Sequence, residues 1–317
     1  MKLLITGGLG YIGSHVVLQA QRAGHEVVVV DDLSTGLTSR VDCQVVDVDL
    51  ASEKALDVLH NLMNEHHFEA VIHLAARKQV GQSVEQPERY FKDNIGGLAN
   101  LLLAMKEAGI KKLVFSSSAA TYGIPEVELV PEDYPGIPIN PYGQTKLIGE
   151  WMVSNASIWG LKGLNLRYFN VAGCEIPALA DTAELNLIPI AIAAIKRGQS
   201  PKVFGVDYPT IDGSCVRDYV HVGDLANAHL LAVAYLEQSR QEHATFNVGT
   251  GIGASVLEVL AEIRVASGLD FELDMHPRRP GDPPKLIADT SRIENILSFK
   301  ARHDLKEIVK SAWDASS

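Results

Sequence analysis

The first thirty-one residues constrain this chain more than any other stretch. An apolar run, Leu3–Thr6, leads into glycines at positions 7, 10 and 13. A second run, Val27-Val28-Val29-Val30, ends in Asp31. A strand, a glycine turn, a helix and a second strand closed by an acid make up a dinucleotide-binding unit. Gly7 can take the positive φ of a tight turn. Gly10 lets backbone approach a pyrophosphate, and Gly13 lets the helix pack closely on the strand. The helix N-terminus offers N–H groups and partial positive charge to phosphates. Asp31 stands where a carboxylate accepts hydrogen bonds from the adenosine ribose. Its charge repels a 2′-phosphate, so the unit favours NAD over NADP. A glycine triplet alone more often marks a plain turn. The strand before it, the helix after it and the acid at this distance make dinucleotide binding the stronger reading.

Strand and helix patterns alternate beyond this unit. Strands are expected at Leu3–Thr6, Glu26–Asp31, Gln44–Asp47, Ala70–His73, Lys112–Ser116, Gly163–Tyr168 and Thr245–Val248. Helices are expected at Ile12–Ala23, Ser52–His66, Pro87–Ala108 and Tyr142–Trp159. Near-continuous Val, Ile and Leu runs are those of strands buried on both faces. The alternation predicts an α/β fold, a Rossmann-type doubly wound parallel sheet. After residue 168 Pro and Gly rise, which reads as a smaller C-terminal α/β region for substrate. The expected division is 1–168 for NAD, with a later return of the chain near 219–248, and 169–317 mainly for substrate. The 317 residues carry a formal net charge of −11, which argues against nucleic acid or an anionic membrane as partner. Three cysteines form no CxxC pair, no metal-ligand pattern is present, and the odd count suits a reducing cytosol. Lys2 runs straight into a strand without the apolar core of a signal peptide, so a cytoplasmic protein is expected.

Tyr142-Gly143-Gln144-Thr145-Lys146 places a phenol and an ammonium four residues apart, on one face of a helix. A nearby cation favours phenolate and lowers a tyrosine pKa from about 10. That makes Tyr142 a usable general base. Lys112–Ser118 is an apolar run ending in three serines. The C-terminal end of a parallel strand faces the ligand crevice, so Ser118 can bond the same substrate oxygen as Tyr142. A tyrosine and lysine at this spacing are by themselves most often a solvated helix face. The dinucleotide unit and the serine-ended strand tip the balance toward catalysis.

Several segments together resemble the extended short-chain dehydrogenase/reductase family, in its sugar-nucleotide epimerase branch. They are Thr6–His15, Val71–Ala76, Val80–Val84, Phe115–Gly123, Asn140–Lys146, Leu166–Gly173, Asp207–Val222, Asn247–Gly251 and Pro277–Asp282. They cover nearly the whole chain in the family's order, and Leu166–Gly173 and Asp207–Val222 are the most specific. The resemblance implies NAD-dependent 4-epimerisation of a UDP-hexose, glucose or galactose, in galactose metabolism, by a homodimer. It implies that Gly7, Gly10, Tyr11, Ile12 and Gly13 hold the pyrophosphate and Asp31 the ribose. Asp47 and Val48 match adenine contacts. Leu74, Ala75 and Lys78 match the segment passing over the cofactor, and Phe169 packs near the nicotinamide. Asp93 stands where the family often has a cofactor-contacting asparagine, and Asn94 beside it takes that part. Ser118, Tyr142 and Lys146 match the catalytic residues. Asn170, Asn186, Leu187, Phe204, Arg217, Arg279 and Asp282 match residues that hold the UDP-sugar. Guanidinium groups suit phosphate, since they present a planar donor fork. The helices at Asp93–Ala108 and Tyr142–Trp159 match those that pair in family dimers.

Two departures are expected to matter. Cys174–Leu185 is shorter than usual and lacks the family's acidic, glycine-containing loop. Leu286 stands where family members carry either a bulky or a small residue beside the sugar's 2-substituent. Ala119 and Ala120 follow Ser118 where related dehydratases and decarboxylases carry acids, which favours simple removal and return of a hydride. The alternatives are a UDP-N-acetylhexosamine or UDP-uronic acid 4-epimerase. A non-catalytic NAD-binding regulator is a further alternative, but it would have lost Tyr142 or Lys146. His15, His73 and His221 read as packing residues, His66-His67 as a solvated helix end, and Arg278 as surface charge.

Overall fold

The computed structural model describes residues 1–238, 243–279 and 281–316. The chain forms two compact units, each built from three segments. The first takes Met1–Gly123, Gly136–Arg167 and Ala226–Phe246; the second takes Ile124–Pro135, Tyr168–Leu225 and Asn247–Ser317.

The first unit carries strands β1 (Lys2–Thr6), β2 (Glu26–Asp31), β3 (Gln44–Asp47), β4 (Ala70–His73), β5 (Lys112–Ser118) and β6 (Lys162–Tyr168). With His243–Val248 they make a seven-stranded sheet in the order His243–Val248, β6, β5, β4, β1, β2, β3. β1 pairs in parallel with β2 and β4, β2 with β3, and β4 with β5. The order reverses between β1 and β4, so the crevice of a doubly wound sheet opens at their C-terminal ends. Those ends carry the glycine turn and residues 74–78. Apart from their first residues, β1, β2 and β5 are buried throughout, and β4 is buried along its whole length, as the unbroken apolar runs require.

The helices of this unit are α1 (Tyr11–Arg22), α2 (Ala55–His66), α3 (Val80–Glu85), α4 (Pro87–Tyr90), α5 (Gly97–Ala108) and α6 (Pro141–Asn155), together with residues 226–238 of the helix Val222–Gln238. Leu59, Leu62 and Met63 of α2 and Leu98, Leu101 and Met105 of α5 share one core with Leu4, Val28, Val71 and Leu113 of the sheet. On α6, a Cβ at Gly149 would stand 2.5 Å from Phe115 Cζ. The missing side chain is what brings this helix close to β5.

The expected helix Pro87–Ala108 is helical over its whole length but changes pitch midway. α4 and α5 are separated by a wide π-helical turn, Phe91–Gly96. There Asn94 directs its amide to the Arg77 backbone and the Thr145 hydroxyl rather than to solvent. Single π turns of this kind often sit at functional sites. The expected helix Tyr142–Trp159 ends at Asn155 and closes through a tighter turn, Ala156–Trp159, into left-handed Gly160. The helix expected from Ser52 starts at Ala55 and is stopped by left-handed His67, which replaces the more usual glycine.

The second unit is more regular than its Pro and Gly content suggests. Val216–His221 pairs in parallel with Asn170–Ala172 and Lys285–Leu286, and antiparallel with Gly253–Ser255. A separate two-stranded sheet joins Lys202–Phe204 to Asp274–His276. Helices Leu187–Lys196, Val256–Ser267 and Leu305–Ala315 contribute Ile188, Ile192, Leu260, Ile263 and Ile308 to its core. Strands this short were not separable from loops by pattern. Among the described residues no helix is long and apolar enough to cross a membrane.

Candidate active site

The glycine turn is shaped by close approach. Gly7 has φ +73°, and a Cβ there would lie 2.6 Å from the Ala75 nitrogen. A Cβ at Gly13 would overlap the Gly7 carbonyl oxygen and lie 2.8 Å from Gly8 Cα. At Gly10 it would meet only the Gly7 oxygen, at 3.5 Å, so this glycine leaves open space over the turn. Gly10 caps α1 with no side-chain bond. Tyr11 is buried against His15, and Ile12 is half-buried. Open space above backbone at a helix N-terminus is the cradle a pyrophosphate fits.

Asp31 has a second task that the sequence did not reveal. Its Oδ2 accepts from the Leu9 nitrogen at 3.0 Å and its Oδ1 from the Leu33 nitrogen at 3.1 Å. The carboxylate therefore ties the glycine turn to β2 and keeps lone pairs for a further donor. Burial pushes its pKa up, and the backbone donors oppose that. Asp47 is exposed in register with Asp31, while buried Val48 donates its N–H to the Asp31 carbonyl at 3.0 Å. Leu74 and Ala75 are anchored on Thr6, through its carbonyl at 3.0 Å and its hydroxyl at 3.5 Å. Lys78 is exposed on the loop beyond. Asn94 accepts from the Arg77 nitrogen at 2.8 Å and donates to the Arg77 carbonyl at 3.1 Å and to Thr145 Oγ1 at 3.0 Å. Both its N–H groups are used inside the protein, so it braces the Lys78 loop against α6. Asp93 is ion-paired with Arg77.

Ser118, Tyr142 and Lys146 come together. Asn140 caps α6 by accepting from the Gly143 nitrogen at 2.9 Å, which fixes where the helix begins and hence where Tyr142 lies. Ser118 Oγ accepts from the Ala120 nitrogen at 3.1 Å and is hydrogen-bonded to the Tyr142 phenol. Lys146 Nζ donates to the Ser116 carbonyl at 2.7 Å and lies 6.0 Å from the centre of the Tyr142 ring. The expected lowering of the Tyr142 pKa is not what the protein alone produces. Burial pushes the phenol up, and the Ser118 bond opposes it only in part. Lys146 is drawn down to about 8 by burial, with Glu150 pulling the other way. Buried His73 shares a 2.6 Å hydrogen bond with Thr6 Oγ1, and burial holds it neutral with a pKa of about 3. The histidines read as packing residues are all buried and bonded.

In the second unit, Arg217 donates to the carbonyls of Val216 and Pro283, both at 2.8 Å. Its Nη2 is 3.8 Å from Asp282, and Arg279 Nε donates to Asp282 at 3.1 Å. Asp282 thus gathers two guanidinium groups. The Arg279 guanidinium lies 4.7 Å over the Phe204 ring, and Leu286 sits beside Arg217 in strand register. Arg278, read as surface charge, stacks 4.3 Å over the Tyr208 ring. Phe169 is buried, Asn170 opens its short strand, and exposed Asn186 stands at the N-terminus of the helix begun by Leu187. Asp218 was missed. Fully buried, it accepts from Thr250 N and Oγ1 at 2.8 Å each, Gly251 N at 3.0 Å and Ala288 N at 3.2 Å. Its place inside Asp207–Val222 was the available signal.

Known proteins share these features. Residues 3–249 match the NAD dependent epimerase/dehydratase family. The chain is 41% identical to the UDP-glucose 4-epimerase of Corynebacterium glutamicum, covering 100% of this chain and 96% of that one. The structure resembles UDP-glucose 4-epimerase from Brucella ovis in complex with NAD, with TM-score 0.94, 39% identity and coverage of 99% and 97%. It also resembles the Stenotrophomonas maltophila enzyme with bound NAD and formylated UDP-arabinopyranose, with TM-score 0.93, 40% identity and coverage of 99% and 97%. With a glycine cradle closed by Asp31, a serine–tyrosine–lysine group at the strand ends and likeness along its full length, this chain belongs to the NAD-dependent epimerase/dehydratase family.

Proposed function

We propose that this protein is an NAD-dependent UDP-glucose 4-epimerase. The observation that carries the reading is the joining of Ser118, Tyr142 and Lys146 at the end of β5, with Ala119 and Ala120 next in the chain. Tyr142 Oη accepts the proton of the sugar 4-hydroxyl as a hydride leaves C4. NAD, when bound, supplies the hydride acceptor, and its oxidised ring brings the positive charge that phenolate needs. Ser118 holds the same oxygen through its hydroxyl. The 4-keto sugar turns while Arg217 and Arg279 hold the diphosphate by charge-assisted bonds. Tyr142 then returns the proton as the hydride arrives on the opposite face. No acid stands at 119 or 120 to eliminate water, and the cycle has no net redox change. The protein is therefore expected to purify with NAD and to convert UDP-galactose to UDP-glucose without added cofactor. Assaying the supernatant of denatured protein for NAD, beside a coupled UDP-glucose assay, tests both. An empty protein that binds NADP better than NAD overturns the cofactor reading.

Leu286 is placed at the sugar's 2-substituent in this reading. Leucine leaves only part of the space an acetamido group needs, and overpacking costs about 1–3 kcal/mol. UDP-glucose and UDP-galactose are expected to be the main substrates, with weak turnover of UDP-N-acetyl sugars. Leu286→Tyr should remove the N-acetyl activity and Leu286→Ser should raise it. An unchanged ratio in both variants means that this position does not gate the pocket.

A homodimer is part of the same proposal. Leu103 on α5 is 47% exposed, Trp151 on α6 58%, and Ile158 just beyond α6 92%, so apolar side chains remain uncovered on both helices. An isologous four-helix contact would bury them. Light scattering at micromolar concentration is expected to give twice 34.4 kDa, and a monomer mass refutes the contact. A cytosolic location fits three cysteines outside any disulfide and is checked by cell fractionation.

A further inference from the structure

The end of β5 grips α6 at three points, four residues apart along the helix. Ser118 bonds Tyr142, the Ser116 carbonyl takes the Lys146 ammonium, and the Ser117 hydroxyl donates to the Glu150 carboxylate. The proposed chemistry uses Ser118 and Tyr142, with Lys146 as the cation beside the phenol, and leaves Glu150 without a part. Glu150 is 4% exposed and Arg167, on β6, 7%. Arg167 donates Nε to Oε1 at 2.8 Å and Nη2 to Oε2 at 2.6 Å, and its guanidinium lies 4.7 Å over the Tyr122 ring.

A buried ion pair is weak support for a fold, because apolar side chains of similar volume often serve as well. Its location is the informative part. Residues 146 and 150 follow one another by about one helical turn on the same face, and the Glu150 charge favours the ammonium. Two anchors, Ser117 and Arg167, fix that carboxylate. We infer that Glu150, held by Arg167 and Ser117, is a positioning residue that keeps Lys146 charged and aimed at the Ser116 carbonyl. This rests on the reading of Tyr142 and Lys146 as the catalytic pair. The other groups around them do not supply the same charge. His73 on β4 is neutral, Tyr90 on α4 faces Tyr142 as a phenol, and Arg167 is a cation. Without Glu150, no anion opposes the effect of burial on Lys146, and the ammonium keeps only its bond to the Ser116 carbonyl.

The test follows the proton on Lys146 directly. The holoenzyme is labelled with acetic anhydride across pH, and acylation of Lys146 is read by peptide mass spectrometry. Profiles of kcat against pH are taken beside it, for wild type, Glu150→Gln and the double variant Glu150→Met/Arg167→Met. In wild type the labelling midpoint is expected below that of an exposed lysine, because Lys146 is buried. In Glu150→Gln it should fall by about one unit or more, taking the alkaline limb of kcat with it. The double variant removes both charges and refills the space, so it should melt near wild type while the midpoint stays low. A folded double variant, or a folded Glu150→Gln, with the wild-type midpoint overturns the inference and leaves Glu150 as a brace. A midpoint that falls in a protein whose wild type converts no UDP-hexose sustains the inference on Lys146 and overturns the epimerase reading instead.

Discussion

Tyr142→Phe is expected to lower kcat by about 10²- to 10⁴-fold, the usual contribution of a general base. Only one hydroxyl is removed. The ring stays in its buried place on α6, and the fold loses the bond to Ser118, which is worth about 1 kcal/mol. NAD content and melting temperature should therefore stay close to wild type while turnover collapses. The comparison is kcat on UDP-galactose for both proteins, with bound NAD measured in each preparation. A folded, NAD-loaded variant with more than about a tenth of wild-type activity rules out this tyrosine as the base.

Gly13→Val should damage binding and fold together. Its Cβ would overlap the Gly7 carbonyl oxygen, and both partners there are backbone that no rotamer change can move. Either α1 shifts away from β1 or the glycine turn opens, and in both cases the cradle under the pyrophosphate is lost. Overpacking of this kind typically costs about 1–3 kcal/mol. NAD should no longer co-purify, and the melting temperature should fall. Gly81→Ala is the matched control, because a Cβ at Gly81 has nothing within 4 Å. It should leave NAD content unchanged and, being inside α3, gain up to about 1 kcal/mol. Retention of NAD at wild-type affinity in Gly13→Val refutes this account of the turn.

Local pattern carried much of the fold. Buried strands such as Ala70–His73 are short unbroken apolar runs, so their bounds were readable to the residue. The π turn at Phe91–Gly96 was not, and the bonds Asn94 makes there run to Arg77 and Thr145, outside the helix. The same distinction runs through the candidate site. The glycine spacing and the tyrosine–lysine pair are local and stood out. Asp31 tying down Leu9, and Glu150 paired with Arg167, are tertiary facts. Glu150 did leave a trace, as the next member of the series 142, 146, 150. The phenol's electrostatics were misjudged because sequence shows the cation four residues away and hides the burial that outweighs it.

The strand order has a consequence for synthesis. β6 lies between β5 and His243–Val248, and the chain makes that last strand only after some seventy-five further residues. While the ribosome is delivering them, β6 is an open edge, with a row of unpaired N–H and C=O groups facing outward. The nascent dinucleotide unit thus waits, templated for one more strand and exposed to wrong partners, until residue 248 arrives. Closure of the sheet begun at the N-terminus is therefore tied to synthesis well into the second half of the chain.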